Sequence, residues 1–367
     1  MCSKAMQNSF KVHLFIKGDN TMKNRVIYTI LFCVALGFVM NTAEAQNKRL
    51  GTGAATELLI PIGARDLAMG GSTIATSEGV EAIYWNPAGL GRMSRGAEGM
   101  FSQMSYIADI GVSYGAVAGK FGEFGVLGLS VKSLSFGDIP LTTVDDPEGD
   151  GGKTFSPTFF TLGLTYSRQL TDAISAGTNL KIVSETIDRV SSGGVAFDFG
   201  IQYRGLVGVQ GLQLGVAVKN IGPQMKYDGS GLLRSAVATE GDRPEQQYKS
   251  EAASFELPSV IEIGLAYRSA AGENAMWSLN GSFTNDNLYQ DEYRVGGELG
   301  IKMESLQLFG RAGVGMVPQA SDDNIFGASF GVGFVYDTKD LGITVDYAYR
   351  SVKYFDANNV ISLKLGF

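Results

Sequence analysis

Apolar and small or polar residues alternate along most of this chain, from about residue 97 to its last residue. Leu341, Ile343, Val345, Tyr347 and Tyr349 interleave with Gly342, Thr344, Asp346, Ala348 and Arg350, so one face is apolar and the other small, polar or charged. Phe160, Leu162, Leu164 and Tyr166 alternate in the same way with Thr161, Gly163, Thr165 and Ser167. So do Leu212, Leu214, Val216 and Val218 with Gln213, Gly215, Ala217 and Lys219, and Ile261, Ile263, Leu265 and Tyr267 with Glu262, Gly264, Ala266 and Arg268. A period of two places successive side chains on opposite faces of a strand. An apolar-out, polar-in dyad sustained over about ten residues is the pattern of a transmembrane strand. Any one such segment also fits a soluble sandwich, so the arrangement of the segments has to decide.

Fourteen strands are predicted, near 97–106, 109–121, 125–135, 155–169, 174–186, 193–203 and 212–220, then 258–267, 277–284, 293–302, 306–315, 324–336, 341–350 and 360–367. An even number suits a single-chain bacterial barrel. The connections after the second, fourth, tenth and twelfth strands are brief: Gly122-Glu123-Phe124, then 170–173, 303–305 and 338–340. Those after the third and seventh, about 136–154 and 221–257, are long and polar. Short connections on one rim and long ones on the other match periplasmic turns opposite extracellular loops. At the end of the chain, Ile361, Leu363, Leu365 and Phe367 form an apolar face closing on an aromatic residue, while Lys364 and Gly366 point the other way. This resembles the C-terminal strand signal read by the bacterial barrel-assembly machinery. The expected fold is all-β: an antiparallel transmembrane β-barrel of about fourteen strands over residues 96–367, closed because lipid cannot satisfy an open sheet edge.

Residues 46–95 break the alternation. They are dense in glycine and alanine and hold two short helix-like pieces, around Arg65–Met69 and Val80–Tyr84. Fourteen strands enclose more room than their side chains fill, since about eight is the number at which they just manage it. This segment is therefore expected to be an N-terminal plug, or hatch, inside the lumen.

Further upstream, Met22-Lys23-Asn24-Arg25 is a basic start, Val26 to Met40 an apolar stretch, and Ala43-Glu44-Ala45 a small-residue cleavage site. Together they read as a cleaved secretory signal peptide. The apolar stretch is too short for a spanning helix, which needs about 20 residues. Residues 1–21 are expected to be an upstream extension, with Met22 the initiator. Cleavage after Ala45 removes five of the 30 Lys and Arg and two of the 37 Asp and Glu, so the net charge moves from −7 to −10. Both cysteines (Cys2, Cys33) and the single histidine (His13) are lost with it. That excludes disulfides, Cys/His metal sites and Ser-His-Asp or Cys-His nucleophiles. An acidic chain also gains nothing from a phosphate backbone, so no nucleic acid is expected as partner. The 49 glycines are spread through apolar segments rather than confined to linkers, which suits barrel strands.

Two motifs precede the first strand: Gly63-Ala64-Arg65-Asp66-Leu67-Ala68-Met69-Gly70-Gly71 and Ala82-Ile83-Tyr84-Trp85-Asn86-Pro87-Ala88-Gly89-Leu90. The pair resembles the N-terminal signature of the PorV/PorQ family, barrels with the fold of the FadL long-chain fatty-acid transporters. The resemblance implies that Asn86, Pro87 and Ala88 belong to a hatch filling the lumen. It also implies a role in type IX protein secretion or in transport of hydrophobic solutes. Read from the residues alone, Asn86-Pro87 favours a turn. The motif either fixes the bend from plug to first strand or takes part in gating.

Weaker patterns fall away. Asp146, Glu148, Asp150 and Gly151 look like the start of a calcium loop, but Pro157 stands where the bidentate glutamate is needed. Gly151-Gly152-Lys153-Thr154 mimics a phosphate loop, but its first glycine position is Pro147. No metal and no cofactor is expected. Glu262, Arg268, Arg294, Glu298, Asp346 and Arg350 are charged residues at inward positions. They either form a lumen network that holds plug or substrate, or simply pair to keep buried charge satisfied. Trp85 reads as a plug anchor, Trp277 as an interface aromatic, and Tyr166, Tyr267, Tyr336 and Tyr347 as members of an aromatic girdle.

The expected location is the outer membrane of a Gram-negative-type bacterium. Expected partners are outer-membrane lipid and lipopolysaccharide, the barrel-assembly machinery, and secretion-system components with their secreted proteins. The alternative is a FadL-type importer of fatty acids or other hydrophobic molecules. No enzymatic activity is expected.

Overall fold

A computed structural model describes residues 51–237, 244–318 and 324–367. The expected signal peptide with its upstream extension, and the first residues of the expected plug, lie outside the described residues.

Fourteen antiparallel strands close into a barrel. The first seven are β1 Ala97–Ser105, β2 Gly111–Lys120, β3 Val126–Ser135, β4 Thr158–Gln169, β5 Ile174–Ile187, β6 Val190–Arg204 and β7 Leu212–Ile221. The rest are β8 Val260–Ala270, β9 Ala275–Asp286, β10 Glu292–Met303, β11 Leu306–Met316, β12 Phe326–Asp337, β13 Gly342–Val352 and β14 Asn358–Gly366. Each pairs with its neighbour in sequence, and β14 returns to β1 with Glu98 opposite Gly366 and Ser105 opposite Asn359. Phe367 supplies the last rung: its N–H donates to the Ala97 carbonyl at 2.9 Å, and the Ala97 N–H to its carbonyl at 3.1 Å.

The burial along each strand is the reverse of a soluble sheet. Phe101, Leu129, Leu164, Ile201, Leu299, Phe330 and Ile361 are exposed. Their polar neighbours Ser102, Ser130, Thr165, Gln202, Glu298, Ser329 and Ser362 are buried. An aliphatic and aromatic exterior around the whole circumference is the outward-facing apolar band of a transmembrane barrel. Tyr166, Tyr267, Trp277 and Tyr336 lie near the short-turn ends of their strands. There Tyr267 and Trp277 pack with ring centroids 5.6 Å apart, and the Tyr166 hydroxyl donates to the Phe124 carbonyl at 2.7 Å.

Every connection after an even-numbered strand is short. The two longest, 136–157 and 222–259, follow β3 and β7 on the other rim. Period-two reading does not reach the three small ribbons these loops contain: Ile139–Pro140 with Thr154–Phe155, Met225–Lys226 with Ser254–Phe255, and Leu233–Ala236 with Gln246–Lys249. Two to four residues are too few to show a period.

The hydrophobic core lies between the wall and the N-terminal segment. That segment runs through a 3-10 turn Thr56–Leu59, helix α1 Ala64–Ala68, a 3-10 turn Gly79–Glu81, helix α2 Ala82–Trp85 and a 3-10 turn Pro87–Arg92. Gly70 and Gly71, at φ 65° and 74°, follow α1 in a conformation that costs glycine little and ends the helix. Ile62, Val80, Ile83, Leu90 and Met93 pack on Met100, Tyr114, Ala116 and Val126 of β1 to β3. Ala64, Leu67 and Ala68 pack on Met104, Val112, Leu134, Ala348 and Val360. Ala54, Ala55 and Leu58 reach Val183 and Ala196 of the wall and Met225 and Leu257 at the foot of the longest loop. The helices are too short to hold together alone, so this packing is what forms them.

Candidate functional site: the lumen and its hatch

Inward glycines let the hatch backbone touch the wall. A Cβ on Gly177, Gly200, Gly215, Gly296 or Gly313 would overlap Pro87, Asn86, Ile74 or Met69 of the hatch. These glycines thus have a steric reason to sit on strands, where glycine otherwise weakens pairing.

Asn86 is the most connected hatch residue. Its Oδ1 accepts from the Ala88 N–H at 3.2 Å, capping the Pro87–Arg92 turn. Its Nδ2 donates to the Ile74 carbonyl within the hatch at 2.9 Å and to the Ile201 carbonyl of β6 at 3.2 Å. Gln202 of β6 donates to the same Ile74 carbonyl (3.2 Å) and to that of Ser77 (2.9 Å). The Asn86-Pro87-Ala88 element therefore sits against the wall near the short-turn ends of β5 and β6, with Pro87 beside Gly177 and Gly200. Further ties are Arg92 Nε to Ser175 Oγ (2.9 Å), Thr76 Oγ1 to Asn280 Oδ1 (2.7 Å), the Ala64 N–H to Ser362 Oγ (2.9 Å) and Trp85 Nε1 to the Ile62 carbonyl (3.1 Å).

The inward charges named from the sequence fall into two groups rather than one, and Lys181 with Asp198 forms a separate pair at 2.7 Å. Toward the short-turn rim, Arg311 bridges Glu298 (2.7 Å) and Asp346 (2.6 Å), and Arg65 of the hatch joins Glu298 at 3.4 Å. Lys364 holds Glu81 of the hatch at 3.2 Å, while Glu78 meets Arg204 (2.5 Å) and Arg268 (3.7 Å). Toward the long-loop rim, Glu262 holds Lys219 (2.6 Å) and Arg294 (3.0 Å), and Arg294 also holds Glu292 (2.6 Å). Arg350 joins neither group. It stacks 3.8 Å from the centre of the Phe326 ring. Sequence reading names six of these residues but misses Arg311, Lys219, Lys364 and the hatch partners Arg65, Glu78 and Glu81. Lys219 and Lys364 stand on the inward side of the alternation, so the signal for them is present in the pattern.

Two hatch carboxyls are strongly perturbed. Burial pushes Asp66 up to about 6 against the pull of Arg65, and Ser77 Oγ donates to it at 2.9 Å. Burial first, and the facing Glu185 carboxyl second, push Glu57 up to about 8. Glu81 goes the other way: burial acts to raise it, but Lys364, Arg65 and Arg311 outweigh that and hold it below the ordinary value. Wall and hatch cations thus favour the ionised form of Glu81, whereas burial favours the neutral forms of Asp66 and Glu57.

Two cavities flank the hatch and share no lining residue. One of about 290 Å³ at the short-turn rim is walled by Arg65, Glu81, Glu98, Arg268, Arg311 and Lys364, among others. One of about 430 Å³ opens toward the long loops, between the Thr56–Pro61 stretch of the hatch and β8 to β13. In the loop after β3, Asp146 spends its carboxylate on the Asp150 and Gly151 N–H groups at 3.0 and 2.8 Å, as an internal loop clasp. Among the described residues no three Asp, Glu, His or Cys side chains are placed to share a metal ion. Ile361, Leu363 and Phe367 are exposed on the outer face of β14, while Lys364 turns inward to the hatch.

No curated protein matches the chain. Among solved structures, it resembles the CymD monoaromatic hydrocarbon channel at a TM-score of 0.54 and 13% identity, over 84% of this chain and 97% of that one. It resembles the Pseudomonas putida toluene transporter TodX at 0.52 and 15% identity, over 84% and 99%. The Ralstonia pickettii toluene transporter TbuX aligns at 0.50 and 13%, over 84% and 98%. At such identities the likeness is one of fold. A family model described as type IX secretion system protein PorV matches residues 43–240, more than half of the chain and the whole of the hatch. The chain belongs to the PorV family of type IX secretion system proteins.

Proposed function

We propose that this protein works in the outer membrane as a closed, hatch-filled barrel of the type IX secretion system. In this reading it engages secretion components and secreted proteins through its long loops instead of conducting solutes. Residues 1–45 are removed on export, 46–95 form the hatch, and 96–367 form the barrel, which the assembly machinery recognises through Ile361, Leu363, Leu365 and Phe367. Outer-membrane lipid and lipopolysaccharide surround its apolar belt. Beyond family membership, the observation that carries this reading is the hatch, which is cross-tied to inward residues of most strands. A barrel so filled offers its partners a rim and loops, not an open pore. Asn86, Pro87 and Ala88 serve as its tie to the wall, and Glu262, Arg294, Glu298 and Asp346 as part of the network that holds it. The test is affinity purification of the tagged protein from native outer membranes. Recovery of secretion components, with loss of surface delivery of their cargo on gene deletion, is the expected result. Normal secretion in the deletion strain would overturn it.

The cavity of about 430 Å³ favours a second reading, transport of hydrophobic molecules. Solved barrels of this fold are named as hydrocarbon channels and toluene transporters. Proteoliposome uptake of toluene or a fatty acid above that of empty liposomes is its test.

A further inference from the structure

The cavity beneath the long loops contains a charge that the fold leaves without a counter-ion. Three cations line it: Lys219, Arg294 and Arg350. Lys219 and Arg294 are answered by Glu262 and Glu292. The remaining acid in the wall, Asp286, is committed to the Leu288 and Tyr289 N–H groups at 2.7 and 3.2 Å. Arg350 has no ion-pair partner among the described residues. Neutral groups fix it instead. Phe326 lies under its guanidinium at 3.8 Å, and with the Asn358 amide turned so that its oxygen faces Arg350, Nη2 and Nε donate to that oxygen at 2.7 and 3.3 Å. A guanidinium has five donors in a rigid fork. Held flat in this way with donors to spare, it is prepared for two parallel bonds to a carboxylate.

Two further polar atoms at the cavity lack partners among the described residues, one on β12 and one in the connection after β9. Ser329 is 1% exposed and its Oγ has no hydrogen bond. Gln290 Oε1 is buried and likewise unsatisfied, and both residues line the cavity. Buried polar atoms are rarely left so, because each costs free energy until a partner arrives. The rest of the lining includes an apolar surface, Leu58, Ile60 and Leu67 of the hatch, while Tyr106 stands beside the guanidinium, its ring 6.0 Å from that of Phe326 and its hydroxyl accepting a hydrogen bond from Arg350. The volume of about 430 Å³ lies in the range of small-ligand pockets.

We propose that this cavity binds an α-carboxylate carried beside an amide N–H and an apolar side chain. The carboxylate lies on Arg350 with Ser329 donating to it, the N–H on Gln290 Oε1, and the side chain against Tyr106, Phe326 and Leu58. A plain hydrocarbon would leave Arg350, Ser329 and Gln290 unanswered. Two sources present this chemistry: a free N-acylated amino acid, or the carboxy-terminal residue of a polypeptide entering from the long-loop rim. The proposal does not depend on what the loops engage.

Trp85 lines the cavity, so ligand entry is readable in the fluorescence of the purified full-length protein in detergent. The probes are N-acetyl-L-phenylalanine, its primary amide, and 3-phenylpropionate, which keeps ring and acid but lacks the amide. Saturable binding of the N-acetyl acid is expected, with both other probes weaker by about tenfold or more, the order of one charge-assisted contact. Arg350→Met should weaken the acid by a similar factor, with Arg350→Lys between, in protein that keeps its heat-dependent gel shift. Equal binding of acid and amide overturns the proposal, as does an Arg350→Met barrel that binds the acid unchanged. If Arg350→Met fails to fold, the acid-against-amide comparison on the unaltered protein decides alone. An acetylated tripeptide ending in phenylalanine separates the sources. Binding tighter than the single residue assigns a chain terminus, and equal binding assigns the free acyl amino acid.

Discussion

Asn86 and Ile201 are joined across the hatch–wall boundary, with the Asn86 amide donating to the Ile201 carbonyl at 3.2 Å. The same amide holds Ile74, so one side chain ties two passes of the hatch to β6. Asn86→Asp preserves the shape and the cap on Ala88 but turns an oxygen toward both carbonyls. The cost of losing such buried donors is of order 1–3 kcal/mol each. Gln202 still serves Ile74, so the variant barrel should insert while its hatch loosens. Faster protease cleavage within 51–95, with the barrel fragment intact, is the expected readout.

Glycine placement gives a sharper test, because a control is built in. Valine at Gly200 or Gly313 would overlap Asn86 or Met69, whereas Gly115 has open space where its Cβ would be. Gly200→Val and Gly313→Val should displace the hatch and raise single-channel conductance in planar bilayers. Gly115→Val should leave conductance at the parental level. If all three behave alike, the inward glycines are not what seats the hatch.

Arg311 is buried between two carboxylates, and removing one member of such a set costs about 3–5 kcal/mol because the others remain charged. Arg311→Met should therefore lower the temperature of the heat-dependent gel shift markedly. Adding Glu298→Gln and Asp346→Asn removes the stranded charges and should restore much of the loss. A triple variant no more stable than the single one argues against the pairing.

How far these relationships were legible in the sequence depends on the distance over which each acts. Alternation along one strand is local, so residues such as Ile343 and Asp346 declare their faces, and fourteen strands follow with ends shifted by a few residues. Loop lengths segregate by rim for the same reason. What Arg311 binds is not local, since its partners stand on the neighbouring strand β10 and two strands away on β13. The expected six-residue network accordingly resolves into two groups, with Arg350 outside both. The hatch motif announced itself through residue type, yet its position beside Gly177 and Gly200 depends on how strands far apart in sequence come around the barrel. No period in the sequence encodes that.

Glu57 makes the hatch sensitive to pH. Its ordinary value of 4.5 rises to about 8 in the folded protein, through burial and then Glu185. Glu185 is itself held by the Ala55 N–H (3.0 Å) and the Tyr227 hydroxyl (2.5 Å), and Lys132 donates to the Glu57 carbonyl at 2.6 Å. A carboxyl raised in this way contributes stability that is full below its unfolded value and is lost as pH rises through the folded one. The heat-shift temperature should thus fall between about pH 5 and 8. Glu57→Gln should flatten that slope, and an unchanged slope would assign the effect to another group.

The last expectation concerns the whole hatch. Wall closure rests on the ladder from β1 to β14 and on the Ala97–Phe367 rung, none of which uses a backbone group before Gly96, whose carbonyl accepts from the Lys120 N–H at 2.8 Å. Deleting 54–92 should leave a chain that still inserts, but with the inward polar residues Gln202, Asn280 and Ser362 opened to water. Fourteen strands then enclose a lumen too wide for their own side chains to fill. Conductance and antibiotic sensitivity should both rise well above the full-length protein. The apolar wall residues Met100, Tyr114 and Met104 would lose their cover at the same time, so the truncated barrel should also melt earlier. An inserted truncation that conducts no better than the full-length chain means that something other than residues 54–92 closes the lumen. Deleting Phe367 separates the two halves of this argument. It removes the final rung and the exposed aromatic end but leaves the hatch in place, so it should lower the amount of inserted protein without raising the conductance of what inserts.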